Sequence, residues 1–209
     1  MTTLATIRSN VADALNRTDL SSQIDRAINE AINHYESETT WFNETSGIVT
    51  TVASQQSYDT TDGLPDDVLE ILKVTLTQAT NNTYTMVPKE IQWILDNNTS
   101  GSTFTGPSIY YAWYANKLYL YPTPDDAYTI TLYYKKSYSD LSGDSDSNDW
   151  TDNASDLITS RSEWWVYLHI LHNPQLASTV KAHELESYNR LMRRTTQLVS
   201  SGKLRSSGF

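Results

Sequence analysis

Apolar residues recur three and four apart from the start of the chain, at Leu4, Ile7, Val11 and Leu15. That spacing predicts an amphipathic helix over 3–16, with Thr2 or Thr3 as its cap. After a short turn at 17–19, Ile24, Ile28, Ala31/Ile32 and Tyr35 predict a second helix, capped by Ser21 or Ser22. Two helices joined by so few residues pack as an antiparallel hairpin. The hairpin ends near Thr39, where Trp41 and Phe42 form a bulky plug.

From Gly47 the period changes from 3.6 to two. Residues 48–54 and then 55–58 read as strand, turn and strand edge, and 69–77 (LEILKVTLT) as a strand, with a tight turn at Asn81-Asn82 leading into 84–87. Pro88 is placed to open a short helix carrying Ile91, Trp93, Ile94 and Leu95, and 99–107 reads as a loop. The stretch 109–136 (IYYAWYANKLYLYPTPDDAYTITLYYKK) has three alternating runs. Leu118 and Leu120 share one face in the second run, as do Ile130 and Leu132 in the third. With turns at Asn116-Lys117 and 122–127, it predicts a three-stranded antiparallel meander.

An acidic linker at 141–151 (LSGDSDSNDWT) follows. Helical spacing then returns with Leu157, Ile158, Trp164/Trp165, Leu168 and Leu171, stopping at Asn173-Pro174. Leu176, Val180, Leu185, Tyr188, Leu191 and Leu198 mark one more helix. The expected fold class is α+β: two helical hairpins (1–45 and 152–199) forming a four-helix body, an inserted antiparallel β-rich module (46–140), the linker, and an extended C-terminal arm (200–209).

Composition narrows the chemistry. Hydrophobic content is 38% and charged content 19%, low for a compact enzyme, and Thr, Ser, Asn, Gln and 14 tyrosines fill the gap. Tyrosine-rich polar strands suit surfaces that meet other subunits. With no cysteine, disulfides, thiolate catalysis and Cys-ligated metals are excluded. No apolar run is long enough to span a bilayer and no secretory core is apparent, so no membrane role is expected.

The net charge of −10 is unevenly spread. Residues 1–186 hold ten Lys and Arg against all 25 Asp and Glu, a balance of −15. Residues 187–209 carry Arg190, Arg193, Arg194, Lys203 and Arg205 with no acid, a balance of +5. An acidic body is ill suited to gripping phosphates.

Candidate chemistry is sparse. Asp144-x-Asp146-x-Asn148 opens like a calcium loop, but Asp149 stands where glycine is needed and Ser155 where a bidentate glutamate belongs. A linker ending in a helix cap at Thr151 or Asp152 is the better account. His169 and His172 lack a third ligand, and neither His183 nor His34 supplies one. Glu36, Glu38 and Glu44, and Asp66, Asp67 and Glu70, are the carboxylate clusters to check for glycoside hydrolysis, but with no glycine-lined cleft signature or apolar pocket to raise a pKa they read as ordinary surface acids. There is no phosphate loop, nucleophile elbow or HExxH motif, and no cofactor or metal is expected.

The segments TLATIRSNVADALNR, TDLSSQIDRAINEAINHYESETTWFNE, SQQSYDTTDGLPDDVLEILKV and LYLYPTPDDAYTITLYYKKSYSDLSGDSDSNDWTDNASDLITSR together span nearly the whole chain. In order and texture they resemble the head-to-tail adaptors of short-tailed bacteriophages, in the family of the tail accessory factor beneath the portal ring. The long β-segment departs from the more purely helical adaptors.

The resemblance implies a non-enzymatic virion protein in a homo-oligomeric ring, commonly of twelve copies. Its partners would be the portal protein and tail nozzle, hub or fibre proteins, with DNA passing through the channel without specific binding. It also implies a C-terminal arm lying on the portal. There Arg193, Arg194, Lys203 and Arg205 would steer and anchor, with Leu204 and Phe209 as apolar anchors. The other reading open to the sequence is a glycan-binding or wall-degrading tail component acting through the β-module.

Overall fold

The two helices of the N-terminal pair differ in how they are capped. In α1 (Leu4–Leu15) the Thr3 hydroxyl accepts the Thr6 amide, and Asn16 closes the helix in the left-handed conformation that asparagine tolerates. Leu4, Ile7, Val11 and Leu15 are all buried, as the spacing predicts. In α2 (Ser21–Tyr35) the capping position is held by Leu20 and no side chain caps it, so neither Ser21 nor Ser22 plays the expected role.

The structure, a computed structural model, describes residues 1–98 and 104–200. It divides into two units: a helical one built from Met1–Asn43 and the chain from Tyr138 onward, and a β-rich one, Glu44–Ser137.

In the helical unit, Asn148 caps a short helix α4 (Asp149–Asn153) through a reciprocal exchange with Thr151, so the cap lies three or four residues ahead of the expected Thr151 or Asp152. Helix α5 (Ser155–His169) follows. Asn173-Pro174 does not merely stop it. Asn173 Oδ1 accepts the Leu176 amide, and Pro174 is the first residue of α6 (Pro174–Ser200), where a missing N–H costs nothing.

Helix α5 is shared by the others: α1, α2 and α6 each pack on it. The core joins the α1 and α2 stripes to Leu157, Ile158 and Val166 of α5, Leu191 of α6 and Trp150. Trp150 is fully buried, edge-on to Phe42 and stacked on Tyr35.

The buried stripe of α6 differs from the apolar one expected. Ala177, Val180, Glu184, Leu191 and Thr195 are buried, while Leu176, Leu185 and Leu198 are exposed. Two polar residues in the stripe rotate the helix away from its leucines.

The β-rich unit has two four-stranded sheets around one core. The first pairs β1 (Glu44–Thr50), β8 (Thr129–Lys136), β3 (Val68–Thr77) and β4 (Thr83–Thr85) in that order, all antiparallel. The second runs β2 (Ser57–Tyr58), β7 (Lys117–Tyr121), β6 (Tyr110–Tyr114), β5 (Val87–Pro88). The β5–β6 pairing is parallel.

The three expected meander strands therefore do not stay together. Strands β6 and β7 form a hairpin through Ala115 and Asn116, both at positive φ, but β8 belongs to the other sheet. The alternation itself holds, since Leu118, Leu120, Ile130 and Leu132 are all fully buried. They meet Val49, Val74, Leu76 and Tyr58 in one core. Pro88 closes β5 rather than opening a helix, and α3 (Ile91–Asn98) starts three residues later, packed on β6 and β7.

Candidate interaction surfaces

The C-terminal basic residues singled out from the sequence begin on α6. Arg190 reaches Asp156 at the start of α5 (3.3 Å) and Glu186 on its own helix (3.7 Å). Arg194 lies over the Trp41 ring, 4.6 Å from its centroid. Arg193 is exposed and lines an open groove along α6 with Ala182, Leu185, Asn189 and Gln197. Lys203, Leu204, Arg205 and Phe209 lie outside the described residues.

Deeper on α6, Glu184 is 1% exposed and its Oε1 accepts from three donors: Tyr35 Oη (2.5 Å), Lys181 Nζ (2.8 Å) and Arg161 Nη1 (3.3 Å). Burial pushes the Glu184 carboxyl up, but the hydrogen bonds from Lys181 and Tyr35 and the Arg161 charge more than offset it, leaving the pKa below its usual 4.5. Burial and that carboxylate push the Tyr35 phenol up. Glu184 was not among the candidates read from the sequence. Its signal was a glutamate in register with Ala177, Val180 and Leu191.

Arg161 also stacks on Trp164 at 4.2 Å, and Lys181 sits 5.1 Å from the same ring. Arg26 lies over the neighbouring Trp165 at 5.5 Å. Both tryptophans, expected on the buried side of α5, are only partly buried and line a cavity with Glu30, His34 and His169. Burial and the Arg161 charge lower the His34 pKa.

The segment leading into α4 is the acidic counterpart. The Asp146 carboxylate accepts the Ser142 and Gly143 amides (3.0 and 2.7 Å), and Asp144 pairs with Arg8 (2.7 Å). The backbone carbonyls of Asp146 and Asp144 accept the Leu4 and Ala5 amides. The calcium-loop positions thus serve as caps and ties. Among the described residues no three His, Asp or Glu side chains gather where they could hold a metal.

Four of the six clustered carboxylates are engaged likewise. Glu36 accepts the Tyr138 amide, Glu38 the Tyr188 hydroxyl (3.1 Å) and Asp67 the Tyr134 hydroxyl (2.7 Å), while Glu70 pairs with Lys135 (2.7 Å). In the β-rich unit Trp93 meets Tyr110 and Tyr121 edge-on, and Lys89 covers Trp93 and Tyr110. Half-buried, mutually packed rings of this kind are surface-building chemistry. Among the described residues no helix is long and apolar enough to cross a membrane.

No curated protein matches the chain. The family model described as SU10 adaptor protein matches residues 2–206. A match of that extent fits a molecule whose distinctive chemistry lies in its surfaces, and the chain belongs to the SU10 adaptor protein family of phage head–tail adaptors, structural proteins of the virion.

Proposed function

We propose that this adaptor forms a ring, of twelve copies, that connects the portal to the tail, lines part of the DNA ejection channel and helps seal the packaged head. The observation that carries the reading is the charge reversal. Every formal charge from residue 187 onward is positive, on a chain otherwise at −15. The basic end would be held by the portal protein through Arg193, Arg194, Lys203, Leu204, Arg205 and Phe209, and the segment 200–209 acts as the arm. An acidic body suits a conduit, because a negative wall repels phosphates and DNA slides past without sticking. Tail nozzle, hub or fibre proteins would dock elsewhere on the ring. Assembly takes place in the host cytoplasm and the product resides in the neck of the virion.

Deletion of residues 200–209 tests the arm. Portal binding by pull-down is expected to be lost while circular dichroism and thermal unfolding of the body stay unchanged. Undiminished co-assembly of the truncated chain overturns the reading.

A further inference from the structure

Helix α2 carries opposite chemistry on its two flanks. On one, Asp25 takes Arg8, Asn29 brackets the backbone of Leu141 (2.9 and 3.0 Å), and Glu36 accepts the Tyr138 amide. These contacts fix the acidic segment 140–152 beside α1. On the other flank, Glu30 and His34 border the cavity that holds Trp164 and Trp165. At 100° per residue, positions 30 and 34 lie roughly 120–160° around the helix from the mean of 25, 29 and 36. The acidic segment and the tryptophan cavity thus face away from each other.

The two surfaces are complementary. Asp140, Asp144 and Asp152 are exposed on a segment that contains no lysine or arginine. Its backbone is already tied to α1 through Leu4 and Ala5, so presenting it costs little further ordering. The opposite surface offers two half-buried tryptophans with Arg161, Lys181 and Arg26 laid over them. Glu184 holds Arg161 and Lys181 in place from beneath. Tryptophan and arginine dominate interface energies, and here they are arranged before any partner arrives.

From this geometry we infer that the acidic segment 140–152 of one copy docks on the Trp164–Trp165 cavity of the next. The inference rests on the ring reading above and supplies its lateral contact. Two unlike patches on opposite sides give a head-to-tail association, the kind that closes into a ring, whereas like-on-like pairing would stop at a dimer. The contact weakens with salt, because its charges sit at the rim.

The chain has no cysteine, so every thiol it carries in a cross-linking test is an introduced one. Glu30→Cys marks the cavity and Ser145→Cys the acidic segment; both residues are exposed. The two positions face opposite ways within one chain and cannot bridge internally. With a short bismaleimide, in the presence of portal protein, the double variant is expected to give a ladder of oligomers. A mixture of the two single variants is expected to give dimers only, and each single variant alone no cross-linked product. Dimers from either single variant alone overturn the head-to-tail contact. A ring seen by mass whose double variant fails to cross-link also overturns it, and leaves the ring reading standing. Absence of any oligomer by mass, with or without portal protein, defeats the ring reading and this contact together.

Discussion

Replacing Glu184 tests how the helical unit holds its longest helix. Lys181 is half exposed, so its share of the ion cluster is about 0–1 kcal/mol. Arg161 and Glu184 are different, with side-chain exposures of 14% and 2%. Removing one partner of a buried pair costs about 3–5 kcal/mol. Arg161 keeps its stacking on Trp164, which places Glu184→Ala at the lower end, about 3 kcal/mol, with the stranded Tyr35 hydroxyl included. Glu184→Gln retains the volume and an acceptor for Tyr35, so about 1–2 kcal/mol is expected.

Removing both charges with Arg161→Met and Glu184→Leu leaves no buried charge alone, so the loss shrinks to about 1–2 kcal/mol, the cost of the stranded Tyr35 hydroxyl. Urea unfolding followed by tryptophan fluorescence reads all three, because Trp41, Trp150, Trp164 and Trp165 belong to this unit. The folded-state pKa of Glu184 is depressed, so its contribution is complete above 4.5 and is lost as pH falls through the lower folded value. The gap between wild type and Glu184→Gln must therefore narrow below pH 4.5. A Glu184→Ala variant within about 0.5 kcal/mol of wild type at pH 7 refutes the reasoning.

Four further substitutions separate the two units and the two arginines. At Gly47, an added Cβ would stand 2.3 Å from Pro65 Cγ, in a ring that cannot swing aside. Gly47→Ala is expected to destabilise the β-rich unit by about 1–3 kcal/mol, seen as a lower urea midpoint. The fully buried Tyr58 joins its hydroxyl to the Val52 amide (3.0 Å) and to the Val52 and Gln55 carbonyls (3.2 and 3.0 Å). Tyr58→Phe is expected to cost about 1–2 kcal/mol by the same assay, because the Val52 amide loses its partner. Arg194→Ala should cost about 0.5–1 kcal/mol through the lost Trp41 stack, whereas Arg193→Ala should stay within about 0.5 kcal/mol of wild type and weaken the portal pull-down.

Local periodicity was legible wherever one residue type lined one face. Leu4, Ile7, Val11 and Leu15 identified α1, and the pairs Leu118/Leu120 and Ile130/Leu132 identified buried strand faces. Alternation states which side of a strand is buried; it does not state which strand lies beside it. The turn-rich stretch 122–127 reads as a hairpin, yet β8 is central to the first sheet, between β1 and β3. That pairing is decided by segments more than fifty residues away.

Apolar counting failed on α6 for a related reason. Glu184 and Thr195 occupy its buried stripe, and Glu184 is acceptable there only because Tyr35 and Arg161 come from α2 and α5. Trp150 sits in an acidic run whose composition hides a fully buried ring. Of the surfaces, the basic end was visible as charge. The tryptophan cavity was not, since it exists only once α2 and α5 are neighbours.

The length of α6 bears on how the basic end can act. A helix of 27 residues extends about 40 Å, against about 22 Å for the 15 residues of α5. The Arg190–Asp156 pair marks where α5 begins, so residues 191–200 run past that point while still helical. The sign of the charge therefore changes on a rigid element rather than in a loose tail. Fixing a backbone residue costs about 1–2 kcal/mol, and residues 187–200 have met that cost before any partner arrives. Arg193 is presented at a fixed angle on the exposed side of the helix, while Arg194 is folded back onto Trp41. A partner meeting this end finds one oriented guanidinium and an exposed Leu198 on a preformed helix, and binding energy is not spent ordering that stretch.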